Sequence, residues 1–355
     1  MGCQVMISII SARKIKCLVW DLDETLWQGR LLDGDIPKLQ PGVMDILKGL
    51  DKRGIIHCIA STNDHDHAWY FLDQFGISSY FVAPQINMGN KVDSIKKISN
   101  SLNFALNDIA FIDDDPMELE MIRSMLPEVA VLSADLCGDL LEMPEFMPDY
   151  QSDESVTRRQ MLQDEIKRNE DITKYSDIDE FFKSCQIKFT GRLARNNDCL
   201  RISELASRTN QMNINGLRYS CDEIVSWGKS VDRYSLVASL TDKYGDYGTV
   251  AAAIIDTSNG KADVTGLWIS CRVGKKGVPT AFFTYIGKFA DKLGFSELKT
   301  LYTPTGVNRL AAFHMGIYGF KSCRLKNSKR IEYNLSLPGE IKEFPVWIDA
   351  ECEWS

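Results

Sequence analysis

The chain has 355 residues, 44% hydrophobic and 25% charged, with a formal net charge of −8. That composition is ordinary for a globular protein, and the acidic balance argues against a general nucleic-acid binder, which needs a basic face. No run of roughly 18 apolar residues occurs, so a membrane-spanning helix is not expected, and the length predicts two domains, each able to bury a core.

The opening twenty residues lack a basic n-region and a small-residue cleavage site, so no signal peptide is expected and a cytoplasmic location is. Gly2 beside Cys3 resembles the start of a lipidation signal, but Met6 stands where Ser or Thr is needed. Residues 15–22, IKCLVWDL, read as a buried parallel strand ending in carboxylates. A helix is predicted over 42–53, a strand over 55–60, a helix over 66–75 and a short strand over 80–82. An amphipathic helix over 91–102 leads to an apolar strand at 109–112, a helix over 117–125 and a strand at 129–132. This alternation predicts a doubly wound α/β domain with a parallel sheet.

Pro144, Pro148 and scattered acids mark a boundary. Charged helical segments follow over 155–170 and 177–184, the second capped by Ser176. The pattern resets at Ile187, with a helix over 200–207. Strands over 233–240 and 248–255 are joined around DKYGDYG, with a further strand over 263–270. A helix over 277–293, a strand over 298–302 and a helix over 308–315 complete an α+β domain. The expected division is residues 1–140, a helical linker over 141–185, and residues 186–355.

Ten cysteines are scattered with no CxxC pair. Zinc and a disulfide framework are therefore poorly supported, and reduced thiols filling the core are expected.

Ligands of open α/β sheets bind beyond the carboxyl ends of the strands. Asp21 and Asp23 stand at one such end, and Asp113, Asp114 and Asp115 at another. Carboxylates gathered in this way repel each other unless a cation lies between them, and an all-oxygen set favours magnesium. Ser61 and Thr62 follow a strand and suit a phosphate. Lys91 opens a helix and suits neutralisation of phosphate charge. These are the parts phosphoryl transfer needs, with Asp23 placed to give a proton to the leaving oxygen.

With DLDET at 21–25, STN at 61–63, Lys91 and IDDDP at 112–116, the first half resembles the haloacid dehalogenase superfamily. The resemblance implies Asp21 as nucleophile, Asp23 as acid/base, and Thr25, Ser61, Thr62 and Asn63 around the phosphate, with Lys91 screening charge. It implies magnesium held by Asp21, the Asp23 backbone carbonyl and Asp113, with Asp114 close by. The intervals between the motifs leave no room for a large cap.

In the second half, SCRVGKKG sets Cys271 beside Arg272, Lys275 and Lys276. Neighbouring cations favour a thiolate, a good nucleophile toward activated acyl groups. With RTNQMN at 208–213, DKYGDYG at 242–248, WISCRVGKKG at 268–277 and PTGVN at 304–308, residues 14–320 resemble the FkbH-like family. Those proteins join a haloacid dehalogenase-like phosphatase domain to an acetyltransferase-like (GNAT-like) α+β domain. The resemblance implies transfer of a glyceryl unit from 1,3-bisphosphoglycerate through a Cys271 thioester to the phosphopantetheine arm of an acyl carrier protein in polyketide biosynthesis. It makes Asn210, Asn213, Asp246, Thr305 and Asn308 candidate polar groups at the substrate. Pro279, Val307, Lys275 and Lys276 depart from the family pattern and alter the surroundings of the nucleophile. The alternative is a magnesium-dependent phosphatase whose second domain only binds a partner.

Overall fold

The computed structural model describes residues 14–227, 230–326 and 328–354, with the side chain of Asp153 excepted; Gly2 and Cys3 lie outside the described residues. The chain divides into two compact units, one up to Ile166 and one from Lys167.

In the first unit, β1 (Cys17–Trp20) is wholly buried, as its unbroken apolar run requires. The hairpin strands β2 (Trp27–Gln28) and β3 (Lys38–Leu39) follow, then α1 (Val43–Lys52), β4 (Ile56–Ser61), α2 (His65–Gln74) and β5 (Gln85–Ile86). Next come α3 (Lys91–Leu102), β6 (Ile109–Asp113), α4 (Pro116–Met125) and β7 (Ala130–Ser133). The sheet order β5-β4-β1-β6-β7 is parallel throughout. Successive side chains of β1 enter opposite cores, Leu18 and Trp20 on one face and Cys17 and Val19 on the other. This is the doubly wound arrangement expected, with helices closing both faces. Of the strand expected over 80–82, Tyr80 closes a 3-10 turn at Ser78–Tyr80, Phe81 makes one isolated parallel bridge to His57 on β4, and the edge strand lies later, at β5.

Buried His57 on β4 accepts from Trp20 Nε1 through Nδ1 at 3.1 Å and meets the Leu47 carbonyl through Nε2 at 3.1 Å. With Nδ1 accepting, Nε2 carries the proton. Burial pushes the imidazole down to about 4, so it stays neutral.

Helix α5 (Arg158–Ile172) carries the chain from one unit into the other. Leu162 and Ile166 pack into the core of the first unit, whereas Arg168 pairs with Asp242 in the second. The boundary therefore falls inside a helix that the sequence reading assigns to a separate linker.

The second unit adds α6 (Ile178–Ser184), β8 (Ile187–Leu193), α7 (Cys199–Arg208), α8 (Cys221–Trp227), β9 (Arg233–Asp242), β10 (Gly245–Asp256) and β11 (Ala262–Ile269). Then come α9 (Val278–Lys292), β12 (Glu297–Tyr302), α10 (Arg309–Tyr318), β13 (Lys321–Arg324), β14 (Ile331–Ser336) and β15 (Ile348–Cys352). The cap of α6 is Asp177, whose side chain accepts from Asp179 N; Ser176 lies one residue too early. The sheet order is β13-β14-β12-β11-β10-β9-β8-β15, antiparallel except for β11 with β12 and β8 with β15. This antiparallel-rich α+β unit is the class expected.

Strands β11 and β12 pair only from Ala262 opposite Leu298 to Val264 opposite Thr300. Beyond that they diverge, and the loop carrying Met212 and Ile214 fills the gap. Ile269 N donates to the Met212 carbonyl at 3.2 Å, and Thr303 N to the Ile214 carbonyl at 2.9 Å. Inserted backbone thus replaces the missing sheet partners.

Cys199 and Cys221 form a disulfide between the starts of α7 and α8. This corrects the expectation of reduced thiols at those two positions: folding brings together cysteines whose spacing of 22 matches no motif. Among the described residues no helix is long and apolar enough to cross a membrane.

Candidate active sites

The first site follows from strand register. Trp20 on β1 lies opposite Ile112 on β6 and Ile59 on β4. Asp21 therefore emerges beside Asp113, and Ser61 closes β4 on the other flank. Asp21 is tied to this level by donation of its N–H to the Ile112 carbonyl at 3.0 Å. Lys91 is the first residue of α3, whose N-cap Asn90 accepts from Asp93 N. Its Nζ lies 2.9 Å from Asp21 Oδ1 and 2.6 Å from Asp113 Oδ2. All three residues are buried.

Burial pushes the Asp21 carboxyl up, the Lys91 charge pulls it down and Asp113 pushes it up again, to about 7. Burial alone would lower the Lys91 ammonium, but Asp21 and Asp113 hold it well above its usual value. Burial and Asp113 also raise Asp114. Oxygens of Asp21, Asp113 and Asp114 lie within 4.8 Å of one another. Three carboxylates face one ammonium, so negative charge is left over in a partly desolvated place. That hard, all-oxygen donor set fits a small divalent cation.

Asp23 is not in that group. Its Oδ1 accepts from Trp27 Nε1 at 2.8 Å and Leu31 N at 3.5 Å, and its Oδ2 from Asn63 Nδ2 at 3.1 Å. Three donors hold the carboxylate in the cleft lining, outside the group formed by Asp21, Asp113 and Asp114. Asn63 is buried, and its Oδ1 has no hydrogen-bond partner. Thr25 Oγ1 lies 3.5 Å from Asp114 Oδ1.

A cleft of about 340 Å3 opens over these groups, lined by Asp21, Asp23, Ser61, Thr62, Lys91, Asp113 and Asp114. The phosphate and metal candidates of the first unit thus come together in the cleft lining, apart from buried Thr25 and Asn63, which bond to the lining residues Asp114 and Asp23. Sequence reasoning missed Arg30, an exposed cation that also lines the cleft. It follows Gly29, whose φ of 97° makes the turn after β2. The glycine two residues past DLDETLW was the available signal.

In the second unit, Cys271 is exposed and follows the end of β11 by two residues, at the start of a 3-10 turn over Cys271–Lys276. Lys275 is exposed. Arg272 Nε donates to Ser270 Oγ at 3.2 Å. Lys276 is buried, contrary to its expected place at a substrate: it donates to the Arg272 carbonyl at 2.7 Å and lies 4.9 Å from the Tyr247 ring centroid. Tyr247 OH donates to Asp242 Oδ2 at 3.1 Å, and the same oxygen lies 2.7 Å from Arg168. The Arg168 guanidinium is 4.8 Å from the ring centroids of both Tyr244 and Tyr247. Tyr244 and Tyr247 of DKYGDYG thus alternate with the Arg168 and Lys276 cations in one stack.

Two further candidates are turned inward. Asn308 accepts from Tyr302 OH and Thr305 N, each at 2.9 Å, and donates to the carbonyls of Asn213 at 2.9 Å and Thr303 at 3.0 Å. Asn213 accepts from Asn215 N and Gly216 N and donates to the carbonyls of Thr209 and Leu217. An asparagine side chain offers two donors and one acceptor oxygen with two lone pairs, so both amides are fully used. They hold the loop that fills the strand gap and leave nothing for a ligand. Asn210 accepts from Arg218 at 3.3 Å, exposed Asp246 accepts from Gly248 N at 2.7 Å, and Thr305 is exposed.

A sequence model of the haloacid dehalogenase-like hydrolases matches residues 28–125, beginning just past DLDET. Human magnesium-dependent phosphatase 1 is 28% identical over 123 residues, covering 29% of this chain and 70% of that protein. The Mg-complexed N-terminal part of BF1531 from Bacteroides fragilis, which contains a phosphatase domain, is 30% identical. That match covers 39% of this chain and 41% of the other, with a TM-score of 0.31. The GNAT domain of S. lividans PAT is 15% identical over 41% of this chain and 89% of its own, with a TM-score of 0.34. The matched hydrolase residues and the five-stranded parallel sheet make the first unit a haloacid dehalogenase-like α/β domain.

Proposed function

We propose that the chain is a magnesium-dependent, two-site enzyme that moves a three-carbon hydroxyacyl unit to an acyl carrier protein and removes a phosphate from it. The observation that carries the reading is the set Asp21, Lys91 and Asp113 at the floor of an open cleft. A nucleophilic carboxylate, a fixed cation and a carboxylate pair for a metal are the parts that phosphoryl transfer requires. The 28% identity to magnesium-dependent phosphatase 1 supports the same chemistry.

In the phosphatase step, an Asp21 oxygen attacks phosphorus and the phosphorus–oxygen bond of the ester breaks. The leaving oxygen takes a proton from Asp23. Water then hydrolyses the aspartyl phosphate and frees inorganic phosphate, with Asp23 accepting the water proton. Lys91, Ser61 and Thr62 surround the phosphoryl oxygens. Magnesium, held by Asp21, Asp113 and Asp114, supplies positive charge against the phosphate when bound.

In the transfer step, the Cys271 thiolate attacks the acyl carbon of 1,3-bisphosphoglycerate or a similar acyl phosphate. The carbon–oxygen bond breaks, phosphate leaves and a thioester forms. The carrier's phosphopantetheine thiolate then attacks the thioester and Cys271 leaves. The exposure of Cys271 just past β11 supports this role.

A second reading keeps the phosphatase and gives the second unit only a binding role. The inward use of Lys276, Asn213 and Asn308 favours it. Supplying magnesium, 1,3-bisphosphoglycerate and a holo carrier protein separates the two. On the leading reading, Cys271→Ala abolishes carrier loading and keeps phosphate release from a phosphomonoester, whereas Asp21→Asn does the reverse. Undiminished loading by Cys271→Ala contradicts it.

A further inference from the structure

The net negative balance of this chain comes from one unit. Residues 1–166 carry 14 Lys and Arg against 27 Asp and Glu, a balance of −13, whereas residues 167–355 carry 27 against 22, a balance of +5. Five of those 27 cations fall within ten residues, 321–330, with no acid among them. They are Lys321, Arg324, Lys326, Lys329 and Arg330, all exposed. Among the described residues only Lys321 of these five is in an ion pair, with Glu340.

Sheet register fixes where this segment lies. Arg324 on β13 and Tyr302 on β12 both pair with Ile331 on β14. The carboxyl end of β12, the end of β13 and the start of β14 therefore share one edge of the sheet. Because β12 runs parallel to β11, that edge is also the one at which β11 ends and Cys271 follows. Lys326, Lys329 and Arg330, in the connection between β13 and β14, stand beyond the same strand ends as the exposed thiol. Strand spacing puts β14 roughly 10 Å from β11 where the strands pair, and the divergence past Val264 adds to that. Exposed Lys275 and Arg309 are at this end too, and Leu325 and Val307 are exposed apolar side chains among the cations.

We infer that the β13–β14 connection is the docking surface for an acidic carrier protein that delivers its thiol to Cys271. The inference rests on the transfer reading above and adds the surface and the charge of the partner. An extended phosphopantetheine arm reaches about 18 to 20 Å by bond count, enough to cross the roughly 15 Å of three strand spacings that separate β14 from the thiol once the inserted Met212–Ile214 loop is counted. Unpaired cations around two apolar side chains meet an acidic face by complementarity, which speeds encounter and excludes like-charged partners.

The test is titration of fluorescently labelled holo acyl carrier protein with the full chain, read by anisotropy. The triple variant Lys326→Glu, Lys329→Glu, Arg330→Glu should bind roughly tenfold more weakly or worse, with a flatter salt dependence. The Gln triple at the same positions should lose less. Both variants should keep the wild-type thermal midpoint, phosphate release and acylation of Cys271. Affinity of the Glu triple within twofold of wild type overturns the inference and leaves the transfer reading standing. Failure of wild type to bind the carrier, with Cys271 still acylated, removes the carrier as acceptor and this surface with it. A short single-stranded DNA that binds in the carrier's place, sensitively to the same three residues, assigns the surface to nucleic acid and overturns the inference.

Discussion

Lys91 Nζ stands 2.6 Å from Asp113 Oδ2, and both side chains are almost wholly withdrawn from solvent. A buried ammonium is retained only where carboxylates hold it. Here Asp21 and Asp113 do so, and the ammonium in turn lets two carboxylates stand side by side at the ends of β1 and β6.

Lys91→Met should therefore leave Asp21 and Asp113 facing each other uncompensated. Phosphate release from a phosphomonoester should fall by roughly 100-fold or more. Acylation of Cys271 should persist. Phosphate release within a fewfold of wild type would remove Lys91 from the site.

Arg30 lines the cleft from the turn after β2. Arg30→Ala should raise KM for an anionic phosphomonoester by roughly tenfold while changing kcat little, because the cation binds ground state and transition state alike. Steady-state kinetics with an anionic and an uncharged leaving group checks this; equal effects on both would contradict it.

His57 makes the first unit sensitive to acid. Its folded value of about 4 lies below the ordinary 6.5, so the unfolded chain binds the proton more readily. The contribution is complete above the unfolded value and is lost as pH falls from 6.5 toward 4. It amounts to about 3 kcal/mol. Urea midpoints measured between pH 7 and pH 4 should fall less steeply in His57→Gln than in wild type. Parallel slopes would contradict the assignment.

Asp242 and Asn308 hold the second unit together. Asp242→Ala removes the carboxylate oxygen that the buried Arg168 guanidinium and the Tyr247 hydroxyl share and should cost about 3–5 kcal/mol. Asn308→Ala removes four hydrogen bonds around the loop that fills the strand gap and should cost about 2–4 kcal/mol. Both are read as thermal or denaturant midpoints. An Asn308→Ala protein of unchanged stability but weakened donor binding would return Asn308 to the substrate.

The chemistry of the first unit was legible in the sequence because parallel strands buried on both faces read as unbroken apolar runs. Their ends are then marked by the first carboxylates, Asp21 and Asp113. The positions of Ser61 and Lys91 followed from the same strand–helix rhythm. Other features depend on contacts between distant residues. The hairpin carrying Arg30 has strands of only two residues, too short for any alternation. The strand gap filled around Met212–Ile214, the Cys199–Cys221 bridge and the stack through Arg168 have no local pattern. The family resemblance places Asn213, Asn308 and Lys276 at a substrate, but such residues also close loops, and their partners here are backbone N–H and carbonyl groups, the Tyr302 hydroxyl and the Tyr247 ring. The strands β13 to β15 lie beyond the last motif, and their pairing is set by the sheet edge they join.

The most direct test is intact-protein mass spectrometry after incubation with magnesium and 1,3-bisphosphoglycerate. The expected result is a glyceryl or phosphoglyceryl adduct that maps to Cys271, is absent in Cys271→Ala and moves to an added holo carrier protein. Phosphate release with no adduct on any cysteine would contradict it and leave an aspartate-dependent phosphatase joined to a binding unit.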